Sequence, residues 1–171
     1  EQFRNAVRTL FSRELIPNLA RHEREGIVDR DFWRVCGEAG LLCPTVAAAY
    51  GGLGLDFRYN AVVNEEVCYA GSSVGFAIHS DIVADYLQSY GSDAQRQKYL
   101  PAMVTGENIA ALAMTEPGAG SDLQGIRTTA RRDGENYVLN GSKTYITNGQ
   151  NADFVIVVAK TQPERGAKGM S

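Results

Sequence analysis

Leu112-Ala113-Met114-Thr115-Glu116-Pro117-Gly118-Ala119-Gly120-Ser121-Asp122-Leu123-Gln124-Gly125 runs from an apolar stretch through a Thr-Glu-Pro corner into a glycine-rich turn and a Ser-Asp pair. Gly118 and Gly120 permit positive φ angles and let a ligand approach the main chain. Successive N–H groups in such a turn can form an anion-binding nest. Thr115 and Ser121 add hydroxyls, and Asp122 is placed to cap the turn. Gly-Ala-Gly alone is equally the mark of an ordinary strand connection. The corner gains meaning beside a second segment, Lys143-Thr144-Tyr145-Ile146-Thr147-Asn148-Gly149. If that segment is an extended strand, Tyr145 and Thr147 point to one face, which sets an aromatic ring and a hydroxyl toward a shared ligand.

Outward from these segments the hydrophobic period changes near Ile109. Downstream, Ile109 to Met114, Gly125 to Arg132, Tyr137 to Leu139, Thr144 to Thr147 and Phe154 to Lys160 read as strands. Asp133-Gly134 and Asn140-Gly141 mark turns between them. Upstream the pattern is helical. Phe3, Val7, Leu10, Phe11, Leu15 and Leu19 recur at helical spacing, and Pro17 is expected to kink or break that helix. A second helix is predicted after Asp29, carrying Phe32, Trp33, Cys36 and Ala39. Pro44 to Asp56 reads as a loop, and Asp56 as the cap of a helix closed by Gly71. Ser73 to Tyr90 reads as helical, and Ser92 with Gln95 forms a capping box. Pro101 is expected to open a short new helix ending at Gly106. Helices followed by strands imply an α+β protein, with an all-helical domain over 1–108 and an antiparallel β-domain over 109–171. The chain stops soon after the strand-like Phe154 to Ala159 with no capping element, so the β-domain is expected to be incomplete and the chain a piece of a longer protein.

Composition removes several classes of function. A net charge of −3 over 171 residues, with no basic stripe, lacks the footprint of a nucleic-acid binder. Nothing approaches the ~18 consecutive apolar residues of a membrane span. The first residues lack the layout of a signal peptide. Cys36, Cys43 and Cys68 are odd in number and have no metal-ligand spacing, so they read as reduced, mostly buried thiols of an intracellular protein.

A flat isoalloxazine needs an apolar wall and a few polar contacts along its pyrimidine edge and N5, which is what the two quoted segments offer together. The pattern goes further. Ala113 to Gly125, then Tyr137-Val-Leu-Asn-Gly-Ser-Lys-Thr-Tyr-Ile-Thr-Asn-Gly149, closely resembles the acyl-CoA dehydrogenase family. Gly40-Leu-Leu, Tyr50-Gly-Gly-Leu-Gly54 and Gly91-Ser-Asp-Ala-Gln-Arg-Gln-Lys-Tyr-Leu-Pro101 are similar to the same family, and members acting on long-chain substrates look closest.

The resemblance implies that Leu112, Ala113, Met114, Thr115, Gly120 and Ser121 line FAD, with Thr115 near the pyrimidine end. It implies that Thr147 hydrogen-bonds flavin N5, with Ile146 beside it. Tyr145 packs on the ring system where many relatives carry Trp, and Ser121 also touches the pantetheine of an acyl-CoA. The implied reaction removes an α-proton and passes a β-hydride to N5, giving a trans-2-enoyl-CoA. Electrons then pass to an electron-transfer flavoprotein, from a homodimer or homotetramer in the bacterial cytoplasm or the mitochondrial matrix. The family's base is a glutamate of a C-terminal helical domain that these residues do not include, so this chain alone is expected to have little activity and weak FAD affinity. An acyl-CoA oxidase or flavin monooxygenase of the same fold, and a non-catalytic assembly module, remain open.

No carboxylate within the chain substitutes for that base. Glu65 and Glu66 diverge by ~100° on a helix and read as a salt-bridged pair, while Glu116 is expected to fix its corner. His22 and His79 have no partner at useful spacing, and His79 reads as a packing histidine. Arg131-Arg132 reads as a solvated hairpin end.

Overall fold

A computed structural model describes residues 1–171. Six α-helices precede four short strands: α1 (Gln2–Glu14), α2 (Leu19–Glu25), α3 (Arg30–Glu38), α4 (Phe57–Tyr69), α5 (Ala84–Tyr90) and α6 (Asp93–Val104), then β1 (Ala110–Ala113), β2 (Thr129–Asp133), β3 (Asn136–Asn140) and β4 (Phe154–Val157). The α+β arrangement expected from the change of period is what forms. Pro17 breaks the first helical stretch, with a 3-10 turn over Ile16–Asn18 between α1 and α2. Val7, Phe11 and Leu15 from this stretch meet Phe32, Trp33 and Cys36 of α3, Val63 and Val67 of α4, and Phe76 in one buried cluster.

The predicted caps form. The Asp56 side chain accepts from Arg58 N, and Ser92 and Gln95 make both bonds of the capping box, at 3.2 and 2.8 Å. Ser92→Ala is expected to cost about 1 kcal/mol, read as a lower urea midpoint; an unchanged midpoint would assign α6 entirely to tertiary packing.

Two expectations about the helices need correction. Pro101 opens no new helix; it lies inside α6. The helix continues because Leu100 and Met103 are buried on either side of it, while the orphaned carbonyl belongs to exposed Gln97 and is open to water. The stretch from Ser73 is not helical until Phe76, and Ala77–Val83 is a π-helix running into α5. Of the thiols, Cys36 and Cys43 are buried but Cys68 is exposed. Burial pushes the Cys36 thiol up and that of Cys43 up to about 12, so neither is a nucleophile.

Among the strands, β2 and β3 form the antiparallel hairpin that Asp133-Gly134 announced, whereas β1 and β4 pair in parallel, Ala110 opposite Phe154 through Ala113 opposite Val157. The long excursion from Met114 to Asp153 returns the chain to the same end of β1, which a tight turn would not do. The segment Gly125 to Ile126 is not yet strand; Leu123–Gly125 is a 3-10 turn. All of β3 is exposed, including Tyr137 at 57% and Leu139 at 53%. Thr144 to Thr147 is no strand at all.

The helical and strand segments share contacts rather than merely adjoining. Arg30 donates to Asn151 O and to the Asp153 carboxylate, and Asp153 Oδ2 accepts from Ile109 N at 2.7 Å. His79 Nδ1 accepts from Ala110 N at 3.1 Å, and its other ring nitrogen faces Met103 O at 3.1 Å. That pairing fixes the tautomer, with the proton on Nε2. His79 is thus a packing histidine, as expected, and it pins β1 to the helices.

Candidate functional site

β1 carries Leu112 and Ala113 to the corner, where Met114 and Thr115 are half-buried and the chain reverses at Glu116. Glu116 N donates to Ala119 O and Ala119 N to Glu116 O, at 2.9 and 3.1 Å, closing a tight turn around Pro117 and Gly118. The Glu116 side chain points inward and is 7% exposed. Its carboxylate accepts from Arg127 N at 2.6 Å, Thr128 N at 2.9 Å and Lys143 Nζ at 2.9 Å. Desolvation works to raise its pKa, but hydrogen bonds from Thr128 first, then from Arg127 N and Lys143, outweigh it and hold the group at about 2. A buried carboxylate held by three donors and so weakly basic is a structural anchor and a poor proton acceptor.

Gly118 and Gly120 do not adopt positive φ, contrary to the reason first given for them. A Cβ on either would meet nothing within 4 Å. What they supply is bare main chain on an open face. The N–H groups of Thr115, Gly118, Gly120 and Ser121 make no hydrogen bond within the chain, and neither do the Thr115 and Ser121 hydroxyls. Asp122 caps the next turn, accepting from Gln124 N at 3.1 Å.

The second segment comes to this corner. Thr144 N donates to Thr115 O at 3.0 Å, and Lys143 Nζ donates to Met114 O at 2.9 Å as well as to Glu116. Tyr145 then takes φ 55° and Asn148 φ 65°. These two left-handed residues bend the segment into a loop, so the argument that an extended strand puts Tyr145 and Thr147 on one face does not apply. Residue type misled here: Tyr-Ile-Thr is strand-forming by propensity, and local geometry overrides it. Tyr145 stands 92% exposed, Thr147 is exposed and Ile146 half-buried. The N–H groups of Tyr145, Ile146 and Thr147 are also without an acceptor in the chain.

Ile146, Thr147 and Asn148 line a cleft of about 660 Å³ together with Gly71 to Gly75 and residues of α2. Residues 112–121 do not line it; the glycine corner meets this loop at Lys143 and Thr144. His22, also on the cleft wall, has a partner that its sequence neighbours did not suggest: its Nε2 lies 3.2 Å from Asp29 Oδ2. Arg21 also pairs with Asp29 and, with His22, holds that carboxyl at about 2 against desolvation.

The remaining candidates fall outside this region. Glu66 is buried against Arg4 and Arg8, at 2.8 Å from each, and Glu65 pairs with Arg4 at the surface. Chiefly the Arg8 hydrogen bond keeps the Glu66 carboxyl below its ordinary range. Arg131 and Arg132 lie on the exposed hairpin, Arg132 donating to Gly134 O.

Two residues that hold the site together were missed as functional candidates, Lys143 and Asn148. Lys143 opened the quoted segment without a role. Asn148-Gly149 was passed over, although Asn tolerates the left-handed conformation it adopts.

A planar heteroaromatic ring with carbonyl and imine acceptors along one edge fits this surface. It needs N–H and O–H donors without internal partners, close main-chain approach and an aromatic ring free to cover it, and residues 115–121 and 145–147 supply all three.

Comparison with known proteins identifies the family. Residues 1–107 match the family model "Acyl-CoA dehydrogenase, N-terminal domain" and residues 111–171 match "Acyl-CoA dehydrogenase, middle domain". The mitochondrial long-chain specific acyl-CoA dehydrogenase of Sus scrofa is 49% identical over 163 residues, covering 95% of this chain and 38% of that protein. A crystal structure of an acyl-CoA dehydrogenase from Geobacillus kaustophilus superposes with a TM-score of 0.96 at 50% identity, over 99% of this chain and 46% of that one. A glutaryl-CoA dehydrogenase from Mycobacterium smegmatis, solved in complex with FADH2, gives 0.87 at 29% identity, over 94% and 42% of the two chains. The chain spans less than half the length of each of these relatives. With both domain models matched in order across nearly every residue, the chain belongs to the acyl-CoA dehydrogenase family.

Proposed function

We propose that residues 1–108 are the helical domain, and 109–171 the first part of the middle domain, of an FAD-dependent enzyme that oxidises a fatty acyl-CoA to its trans-2-enoyl-CoA. One observation carries this reading: two segments about thirty residues apart present hydrogen-bond donors with no internal partner, on loops joined by Thr144 N to Thr115 O and by Lys143. In this reading the main chain and hydroxyls of Leu112, Ala113, Met114, Thr115, Gly120 and Ser121 hold the flavin. Tyr145 covers the ring, Ile146 supports it, and the Thr147 hydroxyl donates to N5. Ser121 serves both cofactor and the pantetheine of the substrate. FAD, when bound, accepts the β-hydride at N5. The α-proton goes to a carboxylate that the family resemblance assigns to a C-terminal helical domain, since Glu65, Glu66 and Glu116 are all engaged elsewhere. An electron-transfer flavoprotein is the acceptor, and a homodimer or homotetramer the assembly.

The test compares the complete polypeptide with residues 1–171 alone. Flavin absorbance after purification and enoyl-CoA formation with an artificial acceptor are expected from the first and to be nearly absent from the second. A colourless complete polypeptide, or robust turnover by residues 1–171, would overturn the reading.

A further inference from the structure

Thr147 is exposed and its hydroxyl has no partner, so something else must fix where that hydroxyl points. Gly75 lies against Thr147, and Asn148 follows it in the chain. Asn148 Nδ2 donates to Gly75 O at 2.9 Å and to Ala110 O at 3.1 Å, using both amide hydrogens. One side chain thereby ties the loop to the segment before the π-helix and to β1. The same Gly75 carbonyl accepts from His79 N at 3.3 Å. Gly75 is not in a left-handed conformation, so its need for a bare Cα is spatial. A Cβ there would stand 2.5 Å from Thr147 Cγ2 and closer still to Asn148 Oδ1. The Thr147 methyl therefore rests against the Gly75 backbone. A β-branched side chain with its methyl held has little freedom left at χ1, so the direction of the hydroxyl follows.

We propose that Asn148 and Gly75 are positioning residues, a clamp by which the helical half of the molecule aims the Thr147 hydroxyl at the flavin. This rests on the functional reading above. Neither residue touches the reacting atoms; both act through Thr147. A hydrogen bond to a reacting nitrogen is sensitive to displacement, and a 1 Å misplacement costs about 100-fold in rate.

The experiment uses the complete polypeptide with three substitutions. Asn148→Gly keeps the left-handed backbone without strain but removes both hydrogen bonds. Gly75→Ala inserts a methyl at the contact and provides a second variant should the first unfold. Thr147→Val removes the hydroxyl itself. Single-turnover flavin reduction is expected to fall about 100-fold in Asn148→Gly and in Gly75→Ala, with little change in KM and a shifted flavin absorption band. In the Thr147→Val background, Asn148→Gly is expected to add almost nothing, because the two act on one hydrogen bond. In the flavin-free protein, amide hydrogen exchange at Gly149, whose N–H donates to Ile146 O at 2.9 Å, is expected to quicken in both clamp variants.

A wild-type reduction rate in Asn148→Gly, or the same loss with and without the Thr147 hydroxyl, would overturn the clamp while leaving the enzyme assignment standing. Wild-type protein that binds no flavin would instead sink the enzyme assignment. The clamp's hold on the loop is then decided by exchange alone, unchanged protection at Gly149 refuting it.

Discussion

Glu116→Gln is expected to destabilise the protein by about 3–5 kcal/mol and to abolish tight flavin binding. The carboxylate sits with its Lys143 partner in a nearly closed site, the side chains 6% and 11% exposed. Its two oxygens take three donors, two of them backbone N–H groups just before β2. Glutamine preserves the shape but offers one acceptor oxygen, and it turns an NH2 toward a backbone donor or an ammonium. Lys143 is then left with the Met114 carbonyl alone, and an uncompensated charge in such a place is expensive.

Lys143→Met is expected to cost less, because Arg127 N and Thr128 N still hold the carboxylate. The double variant should recover part of the loss, the mark of a coupled pair. Urea denaturation of the four proteins gives each quantity. A loss under about 1 kcal/mol for Glu116→Gln would reduce the pair to the standing of a surface salt bridge. The functional consequence follows from geometry: Lys143 begins the Tyr145–Thr147 loop and Glu116 opens the glycine corner, so severing them lets the two segments proposed to hold the flavin drift apart. Flavin affinity should therefore fall in Lys143→Met too, although its stability loss is smaller.

The sequence made the helical half largely legible because the signals there are local. Pro17, the Asp56 cap and the Ser92–Gln95 box each act within a few residues of themselves, and each appears where expected. The errors have non-local causes. Pro101 is tolerated because Leu100 and Met103 are buried by other elements, which no window around Pro101 reveals. The Tyr145–Thr147 stretch has strand-forming residues but only one backbone hydrogen bond to a neighbour, from Thr144, before left-handed turns take over. The composition of the candidate site was legible from the corner motif and its family resemblance. Its mechanics were not: the three bonds to Glu116 span 11 to 27 residues and those of Asn148 span 38 and 73. Contacts at such separation leave no periodicity to read.

Between pH 6.5 and about 4 the protein is expected to lose about 3 kcal/mol of stability through His79 alone. The ring is fully buried, stacked edge-on against Trp33 at 5.2 Å, with no carboxylate among its hydrogen-bond partners to favour a proton. Burial is the dominant cause of its depressed pKa, about 4, and the Met103 carbonyl offsets only part of it. The unfolded chain takes up a proton near pH 6.5 while the folded protein refuses it down to about 4. Across that window the unfolded state binds more protons, so stability falls as pH falls. Above pH 6.5 both states are neutral and His79 contributes no slope.

The carboxylates act lower down. Glu116 and Asp29 are held at about 2, so their contribution is present above the ordinary carboxylate range and drains away only as pH drops toward 2. The two effects are separable in one titration. His79→Gln keeps an acceptor for Ala110 N and a donor for Met103 O without a titrating group, and should flatten the stability curve between pH 6.5 and 4 while leaving the steep loss below pH 4. Protonation of wild-type His79 turns Nδ1 from acceptor into donor against the Ala110 N–H, at the residue where β1 meets Asn148. Acid should therefore loosen the strand and the Thr147 loop together, seen as faster amide exchange at Ala110 and Gly149 near pH 4.5 than at pH 7 after correction for intrinsic rates. Equal slopes in the two proteins would show that His79 takes up its proton in the fold as readily as in the unfolded chain, and that its pairing with Ala110 is misassigned.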